Sequence, residues 1–180
     1  MVILGIDPGS TIMGYGLIGV KNNKPVLMLM GTLDQRKTKD HYEKIARIFD
    51  RTLLLIEEYK PTAMAIESPF YGNNIQSMLK LGRAQGAAIS AALHRSVPVF
   101  EYAPRKIKQS ITGHGESSKE QIANFLQYIL KVELKPDTLD ATDGLAAALC
   151  HYYQLCNPLR QGSAKSWEDF IKKNPGRIKG

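Results

Sequence analysis

Three features of the sequence predict an α/β fold, in which one five-stranded mixed sheet carries helices on both faces as an α/β/α sandwich. Two short apolar runs, residues 2–6 and 62–67, stop at Pro8-Gly9 and Pro69, as buried central strands do. A basic turn, Lys21-Asn22-Asn23-Lys24, separates two further apolar segments in the manner of a hairpin. The hydrophobic period then becomes helical over residues 39–59 and 74–94, giving the order β-β-β-α-β-α-β-α-α.

Taken in order, residues 2–6 form the first central strand, with residues 12–20 and 26–30 added to it as an antiparallel meander. In residues 39–59, Ile45, Ile48, Phe49, Leu55, Ile56 and Tyr59 recur at helical spacing with charges between them. A second buried strand over 62–67 ends on Glu67. The helix over 74–94 places Ile75, Met78, Leu79, Gly82, Gly86, Ile89 and Leu93 on one side. Residues 97–102 form a strand with a proline near its start, where a missing N–H is tolerated. A short helix fits 105–110, and residues 112–116 form a glycine loop. Ser117-Ser118-Lys119-Glu120 reads as a capping box, with Ser117 as the cap and Glu120 at the third helical position. The helix behind it is expected to bury Ile122, Phe125, Leu126 and Ile129. Pro136-Asp137 opens a last helix, running to about Tyr153.

The 180 residues fit one domain over 1–156, followed by a basic tail, 157–180, and contain no repeat. A net charge of +7 points to an anionic partner, of which nucleic acid is the commonest, although a soluble surface alone can carry such charge. Cys150 and Cys156 form neither a redox pair nor a zinc half-site, and Cys150 lies in an apolar run that suits a small core residue. The N-terminus has neither the basic start nor the apolar length of a signal segment. No stretch approaches the ~20 apolar residues of a membrane span, so a cytoplasmic protein is expected.

The chemistry is carried by acids at converging ends. Asp7 and Glu67 terminate central strands, at the sheet edge where active groups of open α/β sheets gather. If those strands are neighbours, the two side chains stand one strand spacing apart, ~4.8 Å. Asp140 and Asp143 are three residues apart on a helix and share a face. Four carboxylates in one cleft repel unless cations intervene, and oxygen-only ligands favour Mg²⁺ or Mn²⁺. Two ions ~3.5–4 Å apart would clamp the attacking and leaving oxygens of a phosphodiester. Three of the acids have a ready structural alternative, Asp7 as a turn cap and Asp140 and Asp143 as a solvated helix start, whereas Glu67, closing the apolar strand Ala63-Met64-Ala65-Ile66, resists one best. Only the set points to catalysis.

Gly5-Ile6-Asp7-Pro8-Gly9-Ser10, Ala65-Ile66-Glu67, Leu79-Lys80-Leu81-Gly82, Ala103-Pro104-Arg105 and Asp140-Ala141-Thr142-Asp143-Gly144-Leu145-Ala146 stand in the order and spacing of the RuvC family of Holliday-junction resolvases, which residues 1–155 resemble. The resemblance implies a ribonuclease-H-like nuclease domain, a homodimer and Mg²⁺ dependence. It also implies paired nicks across four-way junction DNA and cooperation with a branch-migration helicase. It makes Asp7, Glu67, Asp140 and Asp143 the catalytic and metal-binding tetrad. Gly113-His114-Gly115 and Lys119 look like the family's glycine loop and lysine, and Phe70 like the aromatic that wedges at the junction centre. The tail after residue 157 matches no part of the family pattern.

Around this centre Arg105, Lys106, Lys108 and Lys119 are candidates for the DNA backbone, with a plain solvated face as the alternative. Phe70 and Tyr71 are candidates for stacking on unpaired bases, or for core packing. His114 could touch phosphate or move a proton. His151, ~12 Å along the helix from Asp143, is too far to share its metal and is expected to be a structural or solvent-facing histidine. Gly82 and Gly86 would let another helix approach, either within the domain or across a two-fold axis. Two rival functions are a non-catalytic branched-DNA-binding module and an actin-like or sugar-kinase ATPase. The latter would need a second phosphate loop and an adenosine loop that the sequence lacks.

Overall fold

The computed structural model of the chain describes residues 1–69, 74–134 and 139–156. Its elements are β1 (Val2–Asp7), β2 (Ile12–Lys21), β3 (Lys24–Asp34), α1 (His41–Tyr59), β4 (Ala63–Glu67), α2 (Ile75–His94), β5 (Val99–Tyr102), α3 (Pro104–Thr112), α4 (Lys119–Leu130) and α5 (Leu139–Cys156). The strands form one mixed sheet in the order β3-β2-β1-β4-β5, with β1, β2 and β3 antiparallel and β1, β4 and β5 parallel. The expected elements are therefore all present. The largest difference is β3, which starts earlier and runs past 30, because Gly31-Thr32-Leu33 continues the pairing with β2. The β2–β3 turn is built on Asn22 and Asn23, whose φ values of 50° and 57° suit the left-handed conformation asparagine tolerates in tight hairpins.

Two cores flank the sheet. On one face α1 and α2 cover Leu4, Ile6, Met13, Leu17, Met64 and Ile66. On the other, α3, α4 and α5 enclose Ile3, Ile18, Ala65 and Tyr102. Asp40 caps α1 by accepting from the Glu43 N–H, and Asn74 caps α2 in the same way from Ser77. The expected apolar stripe of α2 is not its buried face. Ala84, Ala87, Ala88, Ala91 and Ala92 turn inward, while Ile75, Leu79 and Leu93 are exposed. Alanines take that face because α2 packs closely against α1, and short side chains let the two helices approach.

The capping box of α4 is shifted by one residue from the expectation. Ser118 accepts from the Gln121 N–H, and the Gln121 side chain returns the bond to the Ser118 N–H. Ser117 is buried, its hydroxyl sharing a hydrogen bond with Thr112 Oγ1 at 2.7 Å, so it is committed to the preceding loop. Phe125, expected in the core, is 44% exposed, while Ile122 and Leu126 are buried as expected.

The packing of α5 is set by glycines. An added Cβ at Gly14 would stand 2.1 Å from the Asp140 carbonyl oxygen, and one at Gly5 would stand 2.0 Å from that of Gly144. Helix and sheet backbones touch directly. This closeness, which only residues without a side chain permit, presses the first turns of α5 onto β1 and β2.

Candidate active site

Parallel β1 and β4 are in register with Ile6 opposite Ile66, so Asp7 and Glu67 leave the sheet side by side at its carboxyl edge. Asp7 is also paired with Gly14, against which the Asp140 carbonyl rests. The register thus carries the first turns of α5, and with them Asp140 and Asp143, to the strand-borne pair. Asp7, Glu67 and Asp143 line a cleft of about 340 Å³ with Lys108, Lys119, Pro104, Ile107, Ile122 and Ala146. Asp140 stands at its rim, with its side chain half exposed, whereas that of Asp143 is 16% exposed.

The electrostatics follow from this packing. Burial, then the negative charges of Asp143 and Asp140, push Asp7 up to about 6, against the pull of Lys119. Glu67 is pushed up to about 8 by burial first and then by Asp7 and Asp143, with Lys119 and Lys108 opposing. Lys119 Nζ lies 2.6 Å from Asp143 Oδ2 and 3.4 Å from Asp140 Oδ1. Burial works against its ammonium, but the hydrogen bond and charge of Asp143, with the charge of Asp140, raise its pKa overall. Among the described residues no three acids, histidines or cysteines are drawn together tightly enough to enclose one ion. Lys119 bridges the helix-borne aspartates instead. The donor set nonetheless fits hard divalent cations, being carboxylate oxygen throughout, with two of its members raised in pKa for want of positive charge.

The other predicted residues separate into near and far. Lys108 lines the cleft, and its charge reaches Glu67. Arg105 folds over the glycine loop, its Cγ 2.5 Å from where a Cβ on Gly115 would stand. Lys106 is exposed and does not line the cleft; its charge acts on buried Cys150 from the neighbouring helix. His114 lines a different hollow, with Thr112, Glu116, Ser117, Gln121 and Phe125. His151 is buried, with its Nδ1 2.7 Å from the Tyr102 hydroxyl and its ring stacked on Phe100, the structural role expected of it. Phe70, Tyr71 and the tail 157–180 lie outside the described residues. One neighbour of the site escaped the sequence reading. Arg36, just past β3, is paired with Asp34 and lies near enough to Asp140 for the two charges to interact. Its signal was the basic run Arg36-Lys37-Thr38-Lys39 between β3 and α1.

This sheet order, with acids gathered at the carboxyl edge of β1 and β4 and on a helix laid across them, is that of the ribonuclease-H-like nucleases. Residues 3–151 match the family described as Crossover junction endodeoxyribonuclease RuvC. The chain is 54% identical over 180 residues to the crossover junction endodeoxyribonuclease RuvC of Bacteroides fragilis, covering 99% of this chain and 96% of that one. It is 52% identical to that of Porphyromonas gingivalis, covering 99% and 97%. Among solved structures, RuvC of Thermus thermophilus in complex with a Holliday junction substrate superposes with a TM-score of 0.78 at 35% identity, covering 86% of this chain and 94% of that one. The chain belongs to the RuvC family of crossover junction endodeoxyribonucleases.

Proposed function

We propose that this chain resolves Holliday junctions by paired, metal-dependent hydrolysis of phosphodiesters, in the service of recombination and DNA repair. The observation that carries the reading is the cleft itself. Asp7 and Glu67 are both pushed up by burial and mutual repulsion, Glu67 far enough to keep its proton at neutrality, beside two aspartates bridged by a lysine: a site built for more positive charge than the protein supplies. Family membership favours an enzyme over a binding module or an ATPase.

In this reading Asp7, Glu67, Asp140 and Asp143 hold Mg²⁺, for which Mn²⁺ can substitute, as two ions per site. When bound, the ions neutralise charge on the phosphate and lower the pKa of an attacking water. Asp7 and Glu67, fixed by strand register, would supply the oxygens at the sheet edge, and bound ions would lower the raised pKa values of both. Asp140 and Asp143 would supply those on the helix. Lys119, freed from them, and Lys108 across the cleft would then bind the phosphates beside the scissile one, with Arg105 and Lys106 further out. Ile107, Ile122 and Ala146 exclude water from the cleft floor. Phe70, following Glu67 by three residues, is the ring that would wedge among unstacked bases at the junction centre.

A homodimer is supported by the exposed side of α2. Ile75, Leu79 and Leu93 face outward, and an added Cβ at Gly82 or Gly86 would meet nothing within 4 Å among the described residues, which leaves these glycines free to face a second copy. A two-fold pair across this helix would present two clefts to the two symmetric strands of a junction. The tail 157–180 is assigned to a basic extension outside the nuclease domain, a branch-migration helicase is the expected partner, and the site of action is the cytoplasm. Among the described residues, no helix is long and apolar enough to cross a membrane. The test is incubation of the purified chain with an end-labelled four-way junction in Mg²⁺. Symmetric nicks in opposing strands support the reading, and an intact junction, or equal cutting of linear duplex, overturns it.

A further inference from the structure

Beyond the cations already assigned to the substrate, the chain carries a second basic element on the other flank of the cleft. In the sheet order, β4 and β5 lie on one side of β1, and β5 leads into α3 with Lys108. β2 and β3 lie on the opposite side, and β3 ends at the same edge as Asp7, because Asp34 pairs with Ile12 two residues from the Gly14–Asp7 pair. The segment that follows, Gln35 to Asp40, alternates in burial with charge. Gln35 and Thr38 are buried, whereas Arg36, Lys37 and Lys39 are exposed.

The segment is held as a turn rather than left loose. The Gln35 N–H donates to the Thr11 carbonyl at 2.8 Å, the Thr38 N–H to the Gln35 carbonyl at 3.1 Å, and Arg47 NH1 to Thr38 Oγ1 at 2.6 Å. Arg36 is clamped by Asp34 through its backbone N–H and its guanidinium. Two acids accompany the three cations, but both are engaged: Asp34 on Arg36, and Asp40 on the Glu43 N–H as the cap of α1. Arg36 is close enough to Asp140 for their charges to interact.

We infer that Arg36, Lys37 and Lys39 form a second phosphate-binding strap, gripping the DNA strand on the β3 side of the scissile phosphate while Lys108 grips on the β4–β5 side. The inference rests on the resolvase reading and extends it to residues which that reading leaves unused. Four carboxylates at one edge repel a polyanion, so a strand crossing them needs cations on both flanks. β3 is two strand spacings from β1, ~10 Å, which corresponds to about three nucleotides at ~3.4 Å of axis per strand charge. The strap contacts sugar-phosphate backbone and no base edge, so it positions the strand without selecting its sequence.

The test uses the full-length chain in an Asp7→Asn background, which prevents cutting, and a fluorescent synthetic four-way junction titrated at several salt concentrations. Three variants are compared: Arg36→Ala/Lys37→Ala/Lys39→Ala, Lys37→Ala/Lys39→Ala, which leaves the Asp34–Arg36 pair intact, and Lys21→Ala/Lys24→Ala at the far end of the sheet. The triple variant should bind about tenfold or more weakly, with a log–log salt slope smaller by about two to three, and the double variant's slope should fall by about two. Hydroxyl-radical protection should be lost about three nucleotides to one side of the cut. The far-end variant should match the parent. Parent-like slopes and footprints in both strap variants, or an equal slope change in the far-end variant, would overturn the strap. Cutting by the wild-type chain in Mg²⁺ is scored separately, so an inactive protein whose strap variants still lose slope refutes the resolvase reading and leaves the strap standing.

Discussion

Asp7 and Glu67 stand on the ends of buried parallel strands, whereas Asp140 and Asp143 stand on the first turns of α5 with a lysine between them. The strand-borne pair has fixed positions and little solvent, so burial and repulsion raise both pKa values, and Glu67 keeps its proton at neutrality. Of the helix-borne pair Asp140 is half exposed and Asp143 largely covered, and both borrow the flexible ammonium of Lys119. One cleft therefore combines two ways of tolerating negative charge. A cation held there would favour the ionised form of the first pair and would compete with the lysine for the second.

The largest expected effect treats the pairs as equals. Asp7→Asn, Glu67→Gln, Asp140→Asn and Asp143→Asn should each lower the junction-cleavage rate by about 10²-fold or more while junction binding survives, because electrostatic stabilisation of the transition state is lost but the basic surface is kept. A variant cutting at near wild-type rate in single-turnover assays would remove that residue from the site.

Gly14→Ala breaks the relation between the pairs without touching an acid. The new Cβ would meet the Asp140 carbonyl at 2.1 Å, so α5 must lift from the sheet. Overpacking of this kind costs about 3 kcal/mol, and metal-ligand distances tolerate only about 0.2 Å. Denaturant unfolding should report the loss, and cleavage should fall further than stability alone explains. Gly82→Ala on the open side of α2 is the control and should leave monomer stability unchanged or slightly improved.

The third prediction separates the pairs by pH. Glu67 is raised from 4.5 to about 8 in the fold, so the folded state holds its proton more tightly than the unfolded chain does. In metal-free protein its contribution is neutral below about pH 4 and becomes destabilising as pH rises to about 8. Glu67→Gln should therefore stabilise the metal-free chain at pH 8 by something on the order of 2 kcal/mol and by nearly nothing at pH 4. Asp143→Asn, which costs Lys119 its shorter contact, should show no such gain. Thermal melts in a chelator across that range decide it, and a pH-independent difference for Glu67→Gln would refute the buried-proton account.

The smallest effect is that of Lys119→Ala. The lysine is half exposed, and exposed ion pairs contribute ~0–1 kcal/mol, so melting should barely change. The salt slope of junction binding should fall by about one. An unchanged slope would mean that the ammonium serves only the aspartates.

Much of this was legible from residue patterns. An acid closing an apolar strand, as in Ala65-Ile66-Glu67, and two aspartates one helical turn apart are local signals, and the sheet brought them together as chain order suggested. Where two local readings were equally good, contacts distant in sequence decided. Ser117 and Ser118 both fit a cap, and Thr112 captured the first. The large apolar residues of α2 outrank its alanines on any hydrophobicity scale, yet the alanines face inward, where α2 packs closely against α1. Arg36, Lys37 and Lys39 fall between elements, where no periodicity draws notice, and only the sheet order shows them beside the acids. His114 and Lys106 stand close to Lys119 and Lys108 in the sequence, but among the described residues neither lines the cleft.

The glycine contacts that seat α5 also govern how the protein ages and fails. Local opening of a segment is cheap where side chains slide over one another, and expensive where backbones interlock over several residues. Asp143 precedes Gly144, whose added Cβ would lie 2.7 Å from the Gly14 carbonyl oxygen, so this acid sits on an interlocked stretch. Amide hydrogens around it should exchange with solvent only when the central strands open. Heat should then extinguish the activity and the fold together, with no inactive but folded intermediate between them.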